Sequence, residues 1–478
     1  MPRRLTRTAQ RTPDPVPLPE DLGRIVHGFD LRATVGSRSS AHNEQGEPRM
    51  LVPPGAKEDP ARPNRSGRTG GIPRCSMDPA AAAAAVRHRL RDDAEPVRNL
   101  ATFLTTSFEP EAVQLHSAYL NRNLADREQY PATDELVQEC VRILGELWGG
   151  DGCRVVGSAT TGSSEAALLA GLSLLHRWEE RTGSGARRPN LVMGAGVHAC
   201  WRNFCRHWGV EPRVAPARPG CVGLDGAVAA ELCDESTIGV VAVLGGTLDG
   251  RYEPVRDIAA ELDQLADRSG IDVPVHVDAA GGGFIAPFLD PDLQWGFDLP
   301  RVVSINASGH KYGQVPPGLG WVLWRDRDHR SGRLGFPVNY LGSNHTYHEF
   351  TFSRSAAPVV LQYYNFLRYG FAGYRSLHAR SRRLAQDLAA RLRATGRFQF
   401  LGDGSDLPVV AVTAEPDLKL SQLARRLGEC GWAVPVYQLP PDLEELTAMR
   451  VVVRSDLRPS DVVAFAAAVD EFTRPHAV

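Results

Sequence analysis

The sequence predicts an α/β protein, with a large domain on a mostly parallel sheet and a smaller α+β domain after it. Short unbroken apolar runs, "NLVMGAG", "GVVAVLGG", "VPVHVD" and "RVVSINAS", alternate with helical stretches such as "PVRDIAAELDQLADRSG". Strands covered on both faces read as continuous apolar runs, and their alternation with helices requires crossover connections. After residue 360 the pattern changes. "LQYYNFLRYGFAGY" opens a long helical region, and "LPVVAVTAE" and "MRVVVRS" read as strands around a helix.

Upstream, "DPAAAAAAVRHRLRDD" and the amphipathic "DELVQECVRILGELWG" are helical. Residues 1–74 differ, being rich in proline, arginine and glycine and poor in aromatic residues. Such a composition does not bury enough apolar surface to offset ordering entropy, so a disordered tail is expected. The alternative is that translation begins later, at Met50 or Met77. The expected divisions are 1–74 tail, 75–135 helical segment, 136–360 large domain and 361–478 small domain.

The 478 residues are 42% hydrophobic and 23% charged, an ordinary globular balance. A formal net charge of −2 argues against a nucleic-acid partner. Eight cysteines without CxxC pairs or ligand spacing read as reduced thiols, with no metal site, and point to the cytoplasm. No run approaches a membrane span, and the arginine-rich start lacks the apolar core of a secretory signal.

Lysine is rare: only Lys57, Lys311 and Lys419 occur, against abundant arginine. Arginine serves wherever a fixed positive charge is enough, whereas a lysine amine can lose its proton and become a nucleophile. Lys311, in "SINASGHKYG", is therefore the candidate for Schiff-base chemistry; the alternative is a loop lysine. Ser308 and His310 lie beside it, and "TTGSSEAALLAGL" opens a helix with Gly162, Ser163 and Ser164, where backbone N–H groups and hydroxyls suit a phosphate or simply cap the helix. Asp278 ends the strand of "VPVHVDAAGGGF", ahead of small residues including Ala280 that admit a flat group. A buried carboxylate there needs a positive partner, such as a protonated pyridine nitrogen, unless it only caps a turn. His198, in "GVHACWRNFCRHW", follows a strand; its ring would stack on an aromatic group or serve structure alone, and His207 reads as a helix-face residue. An anion cradle, a carboxylate, a stacking ring and a Schiff-base lysine together point to pyridoxal 5′-phosphate. GxGxxG and GxxxxGK[ST] patterns are absent.

Beyond these motifs, "NLATF", "EPEAVQL", "NRNLADREQYP", "TTGSSEA", "CDESTIGVV", "HVDAAGGGFIAPF", "LPRVVSINASGHKYG", "GWVLWRD", "TFSRSAAPVVLQYYNFLR" and "MRVVVRS" follow one another as they do in the glutamate decarboxylases, which the chain resembles over roughly residues 72–470. The resemblance implies fold type I of the pyridoxal-phosphate enzymes, with a mostly parallel seven-stranded sheet. It implies decarboxylation of L-glutamate to 4-aminobutyrate and carbon dioxide by a homodimer or higher oligomer. Lys311 would carry the cofactor, Asp278 would face its ring nitrogen, and Ser163, Ser164, Ser308 and His310 would hold the phosphate, with Ser353 entering from the neighbouring subunit. Thr247 would lie near the reacting carboxylate, and Arg450 would contact the α-carboxylate. Thr102, Phe103, Asn123 and Asp126 would shape the pocket for the distal carboxylate, so that the 75–135 segment contributes to the active site and the dimer. An aspartate beside that carboxylate implies activity favouring acidic pH.

Four positions depart from the family pattern: His198 for glutamine, Gly281 for serine, Ser107 for an aromatic residue and Asp249 for a hydroxyl residue. They leave open another acidic amino acid or a biosynthetic intermediate as substrate, or decarboxylation followed by oxidation or transamination. The sequence ends at "RPHAV" without a basic, tryptophan-bearing extension, so no calmodulin binding is expected.

Overall fold

The computed structural model describes residues 72–73, 75–183, 187–341 and 344–474. The expected tail lies almost wholly outside these residues. Two compact units divide the chain, residues 1–82 and 83–478. Helix α1 (Pro79–Leu90) begins in the first, and α2 (Pro110–Ala118) and α3 (Pro131–Leu147) lie in the second. Proline opens α3 where its missing N–H has no intrahelical role, and Val137, Cys140, Val141 and Leu144 form its buried stripe.

The large sheet is built from β1 (Val156–Thr160), β2 (Asn190–Met193), β3 (Glu211–Val214), β4 (Thr237–Val243), β5 (Val275–Asp278), β6 (Val302–Ser308) and β7 (Gly320–Trp324). Its order is β1-β7-β6-β5-β4-β2-β3. The pairs from β6 through β5, β4 and β2 to β3 are parallel, whereas β7 runs antiparallel to both β1 and β6. Helices α4 (Ser163–Thr182), α5 (Ala199–Trp208), α6 (Gly226–Glu231), α7 (Val255–Ser269) and α8 (Ala286–Leu289) connect or follow these strands. Every residue of β4 and β6 is buried, which accounts for their unbroken apolar runs. The mostly parallel seven-stranded sheet expected from the resemblance is present. β1, β3 and β7 were not legible as strands from apolar runs alone.

A two-stranded ribbon, β8 (Phe336–Val338) and β9 (His345–Tyr347), precedes α9 (Ala357–Ala394), which is interrupted at Gly370, where φ is 53°. The smaller sheet has the order β10-β11-β13-β12, all antiparallel, from β10 (Phe398–Asp403), β11 (Val409–Ala414), β12 (Val436–Gln438) and β13 (Thr447–Val452). Helices α10 (Leu420–Glu429) and α11 (Pro459–Thr473) cover it, with Leu388, Leu423, Leu427, Val451 and Phe465 in the shared core. β11 and β13 are the two strands read from the sequence. β10 and β12, the outer pair, carried no such signal.

Candidate active site

Strand ends, helix starts and one turn build a cavity of about 280 Å³ at the C-terminal edge of the large sheet. Gly162, Ser163, Ser164, His198, Thr247, Asp278, Ala280, Ser308, His310 and Lys311 all line it, as the sequence predicts. β5 ends on Asp278 and β6 ends on Ser308, and Lys311 sits in the turn between β6 and β7.

Lys311 is placed by its own turn. Thr105 Oγ1 donates to the Lys311 carbonyl at 2.7 Å, and Thr105 N donates to the His310 carbonyl at 3.0 Å. From α9, Gln362 Nε2, Asn365 Nδ2 and Tyr374 OH all donate to the Gly313 carbonyl, at 3.2, 3.3 and 3.0 Å. Gln314 adopts a φ of 64°, a left-handed conformation costly for a residue with a side chain, and Asn365 and Ser455 bond its main-chain and side-chain oxygens. The Lys311 amine lies 5.0 Å from the centre of the Phe103 ring, and the Arg450 guanidinium lies 4.8 Å from the same ring. Burial pushes the Lys311 amine pKa below its ordinary value; Asp278 and Cys200 oppose the shift and Arg450 adds to it.

The phosphate cradle fits the group proposed for it. Ser163 Oγ lies 2.7 Å from Ser308 Oγ, and both flank the start of α4, whose first N–H groups lack intrahelical partners. A Cβ added to Gly162 would stand 3.2 Å from His310 Cε1, so glycine keeps the cradle open. His310 Nδ1 is buried with no hydrogen-bond partner among the described residues. Burial, then the neighbouring Lys311, lowers the His310 pKa to about 4. A neutral ring with an unsatisfied nitrogen beside hydroxyls and helix N–H groups suits a phosphate.

Asp278 is gripped on both oxygens. Trp201 Nε1 donates to Oδ2 at 2.8 Å, while Asn306 Nδ2 and the Ala280 N–H donate to Oδ1 at 3.0 and 3.2 Å. Three N–H donors thus fix the direction of the Asp278 carboxyl group. His198 caps α5, its Nδ1 accepting from Cys200 N at 3.3 Å, and so combines the structural role with a place on the cavity wall. Its pKa is lowered by burial and Lys311 and raised by Asp278. His207 lies on α5, as read.

The residues suggested by the resemblance alone divide into two groups. Phe103 and Arg450 stand at Lys311. Arg450 Nη1 donates to the Thr247 carbonyl and Nη2 to the Ala101 carbonyl at 2.9 Å. Thr102 caps a turn through Leu104 N and accepts on its carbonyl from Arg454. Asn123, Asp126 and Ser353 do not line the Lys311 cavity. They group with each other, Asn123 Nδ2 lying 3.4 Å from both Asp126 Oδ1 and Ser353 Oγ.

Sequence reading missed Trp201, Asn306, Thr105 and Cys200. A signal for Asn306 existed, because serine and asparagine alternate with apolar residues in the buried run "SINAS". Of the departures, Gly281 has a steric cause: a Cβ there would approach Leu407 Cδ1 to 2.7 Å. Ser107 is exposed, and Asp249 is buried with its carboxylate on the Arg251 N–H at 3.1 Å.

Fold and cavity define the class, an α/β enzyme that works with pyridoxal phosphate. Residues 88–413 match the family profile described as the pyridoxal-dependent decarboxylase conserved domain. The chain is 41% identical over 391 residues to glutamate decarboxylase beta of Listeria innocua, covering 80% of this chain and 84% of that one. It is 40% identical to the glutamate decarboxylase of Lactococcus lactis over the same shares. A solved glutamate decarboxylase of Lactobacillus brevis superposes with a TM-score of 0.82 at 36% identity, over 85% of this chain and 96% of that one. The chain belongs to the pyridoxal-dependent decarboxylases, in the glutamate decarboxylase family.

Proposed function

We propose that this protein decarboxylates L-glutamate to 4-aminobutyrate and carbon dioxide, as a homodimer in the cytoplasm. The observation that carries the reading is the buried Lys311 amine, standing in one cavity with Asp278 and over the Phe103 ring that Arg450 also touches. Bound pyridoxal phosphate supplies the electron sink for the pair released when the Cα–carboxylate bond breaks.

The chain's own residues supply the rest. Ser163, Ser164, Ser308 and His310 would hold the phosphate, and Lys311 Nζ would bind the cofactor's aldehyde carbon. Asp278 would face the ring nitrogen and favour its protonated form. His198, on the cavity wall, would pack against the ring. Arg450 and the Thr247 segment orient the α-carboxylate, a positioning effect that selects which bond breaks. Burial makes the neutral Lys311 amine accessible for release of product.

Thr102 and Phe103 shape the substrate pocket. Asn123, Asp126 and Ser353 stand together but off their own chain's cavity, which fits a role in completing the partner's site. Among the described residues no helix is long and apolar enough to cross a membrane.

A product assay by NMR in deuterated buffer tests the reading. Purified protein with pyridoxal phosphate is given glutamate, aspartate and other amino acids, with Lys311→Ala as the control. Singly deuterated 4-aminobutyrate, formed only by the Lys311 protein, is the expected result. Turnover of a different amino acid, with glutamate untouched, would overturn the substrate and point to His198 as the specificity change.

A further inference from the structure

β5 and β6 pair so that His276 lies opposite Ser304 and Asp278 opposite Asn306. Alternation along a strand puts His276 and Asp278 on one face, with Ser304 and Asn306 beside them. All four are buried, His276 and Asn306 to zero exposure. His276 Nδ1 lies 2.8 Å from Ser304 Oγ, His276 Nε2 lies 2.7 Å from Asn306 Oδ1, and Asn306 Nδ2 reaches Asp278 Oδ1 at 3.0 Å. The indole of Trp201, which holds the other Asp278 oxygen, packs on the His276 ring with centroids 4.9 Å apart.

Donors and acceptors fix the direction of this row. A carboxylate only accepts, so Asn306 must turn its NH₂ to Asp278 and its carbonyl to His276. That carbonyl needs a donor, so Nε2 of His276 carries hydrogen. Burial lowers the His276 pKa to about 4, so the ring is neutral and Nδ1 is left to accept from the Ser304 hydroxyl. Reversing any member would set two acceptors, or two donors, against each other among buried residues.

We propose that His276, as the Nε2–H tautomer, is a positioning residue that locks the Asn306 amide so that its NH₂ faces Asp278, and thereby strengthens binding of the cofactor's pyridinium. The proposal rests on Asp278 being the pyridinium partner. Ser304, His276 and Asn306 touch neither substrate nor cofactor; they act through Asp278. Without the imidazole N–H, the buried Asn306 carbonyl loses its donor, and the Asp278 carboxylate alone opposes a turn of the amide that would relieve it.

Two measurements on the full-length, cofactor-free chain decide it. Long-range ¹H–¹⁵N NMR of histidine-labelled protein, with the His276 signal assigned by its loss in His276→Gln, reads the tautomer directly. Nε2–H, unchanged between about pH 6 and 8, is expected; Nδ1–H, or an imidazolium in that range, overturns the proposal. Pyridoxal-phosphate titration followed by fluorescence reads the consequence. His276→Leu should weaken binding about tenfold, while His276→Gln, whose amide can still donate to Asn306, should stay within about threefold of the parent. Equal affinities in all three would make His276 a satisfied core histidine, and equal losses in both variants would assign the effect to packing; either overturns the proposal. If the leucine variant does not fold, the tautomer in the parent chain still decides. A parent chain that bound no pyridoxal phosphate would instead sink the role of Asp278.

Discussion

Trp201 Nε1 donates to Asp278 Oδ2 at 2.8 Å, so a tryptophan from α5 holds the carboxylate that ends β5. Both residues are buried. The indole ties the carboxylate to the hydrophobic packing of α5, so the direction in which Asp278 points is set in part by a helix it does not belong to.

Trp201→Phe keeps a smaller aromatic ring at this buried position and removes the donor. Loss of a hydrogen bond to a buried charged group costs about 1.5–3 kcal/mol. The variant should unfold at lower urea and bind pyridoxal phosphate more weakly. Unchanged urea and cofactor titrations would show that Asn306 and the Ala280 N–H are sufficient.

Gly281→Ser, the substitution that restores the family's common residue, should destabilise this chain, because its Cβ would approach Leu407 Cδ1 to 2.7 Å. Overpacking of this kind costs about 1–3 kcal/mol. Leu407→Ala should relieve it, giving a coupling of about 1 kcal/mol or more in a double-mutant cycle of urea melts. Additive effects would mean that the backbone, not Leu407, absorbs the change.

Arg450→Lys keeps the charge but cannot hold the Thr247 and Ala101 carbonyls together while lying over Phe103. A fall of about 100-fold in kcat/KM for glutamate is expected, equivalent to ~3 kcal/mol of transition-state stabilisation. Steady-state kinetics check it; an unchanged kcat/KM would remove Arg450 from the substrate site.

His378→Phe should change how stability responds to acid. His378 is fully buried, neither ring nitrogen has a hydrogen-bond partner among the described residues, and burial lowers its pKa from 6.5 to about 3. Between those values the unfolded chain binds the proton that the folded chain refuses, so stability falls as pH drops through the window. Phenylalanine, among Phe288, Tyr312 and Tyr374, removes this contribution. Relative to the parent, the variant should gain roughly 1.4 kcal/mol per pH unit below about pH 6.5. Parallel urea melts across that range test the slope; a constant difference would mean that His378 does not titrate on unfolding.

The sequence alone determined the α/β class, the strands β2, β4, β5, β6, β11 and β13, and most of the residues that close on the Lys311 cavity, though not Cys200. Each depends on local information: an apolar run marks a strand buried on both faces, and a lysine in an arginine-rich chain marks a need for a removable proton. Family order added Phe103 and Arg450, which lie far apart in the chain and carry no shared local pattern. Tertiary structure alone decided the antiparallel placement of β7, the grip of Trp201 and Asn306 on Asp278, and the steric reason for Gly281. These depend on which strand lies beside which and on where Leu407 comes to rest. Register between strands and contact between residues far apart in the chain arise from packing of distant segments, and no window along the chain encodes them.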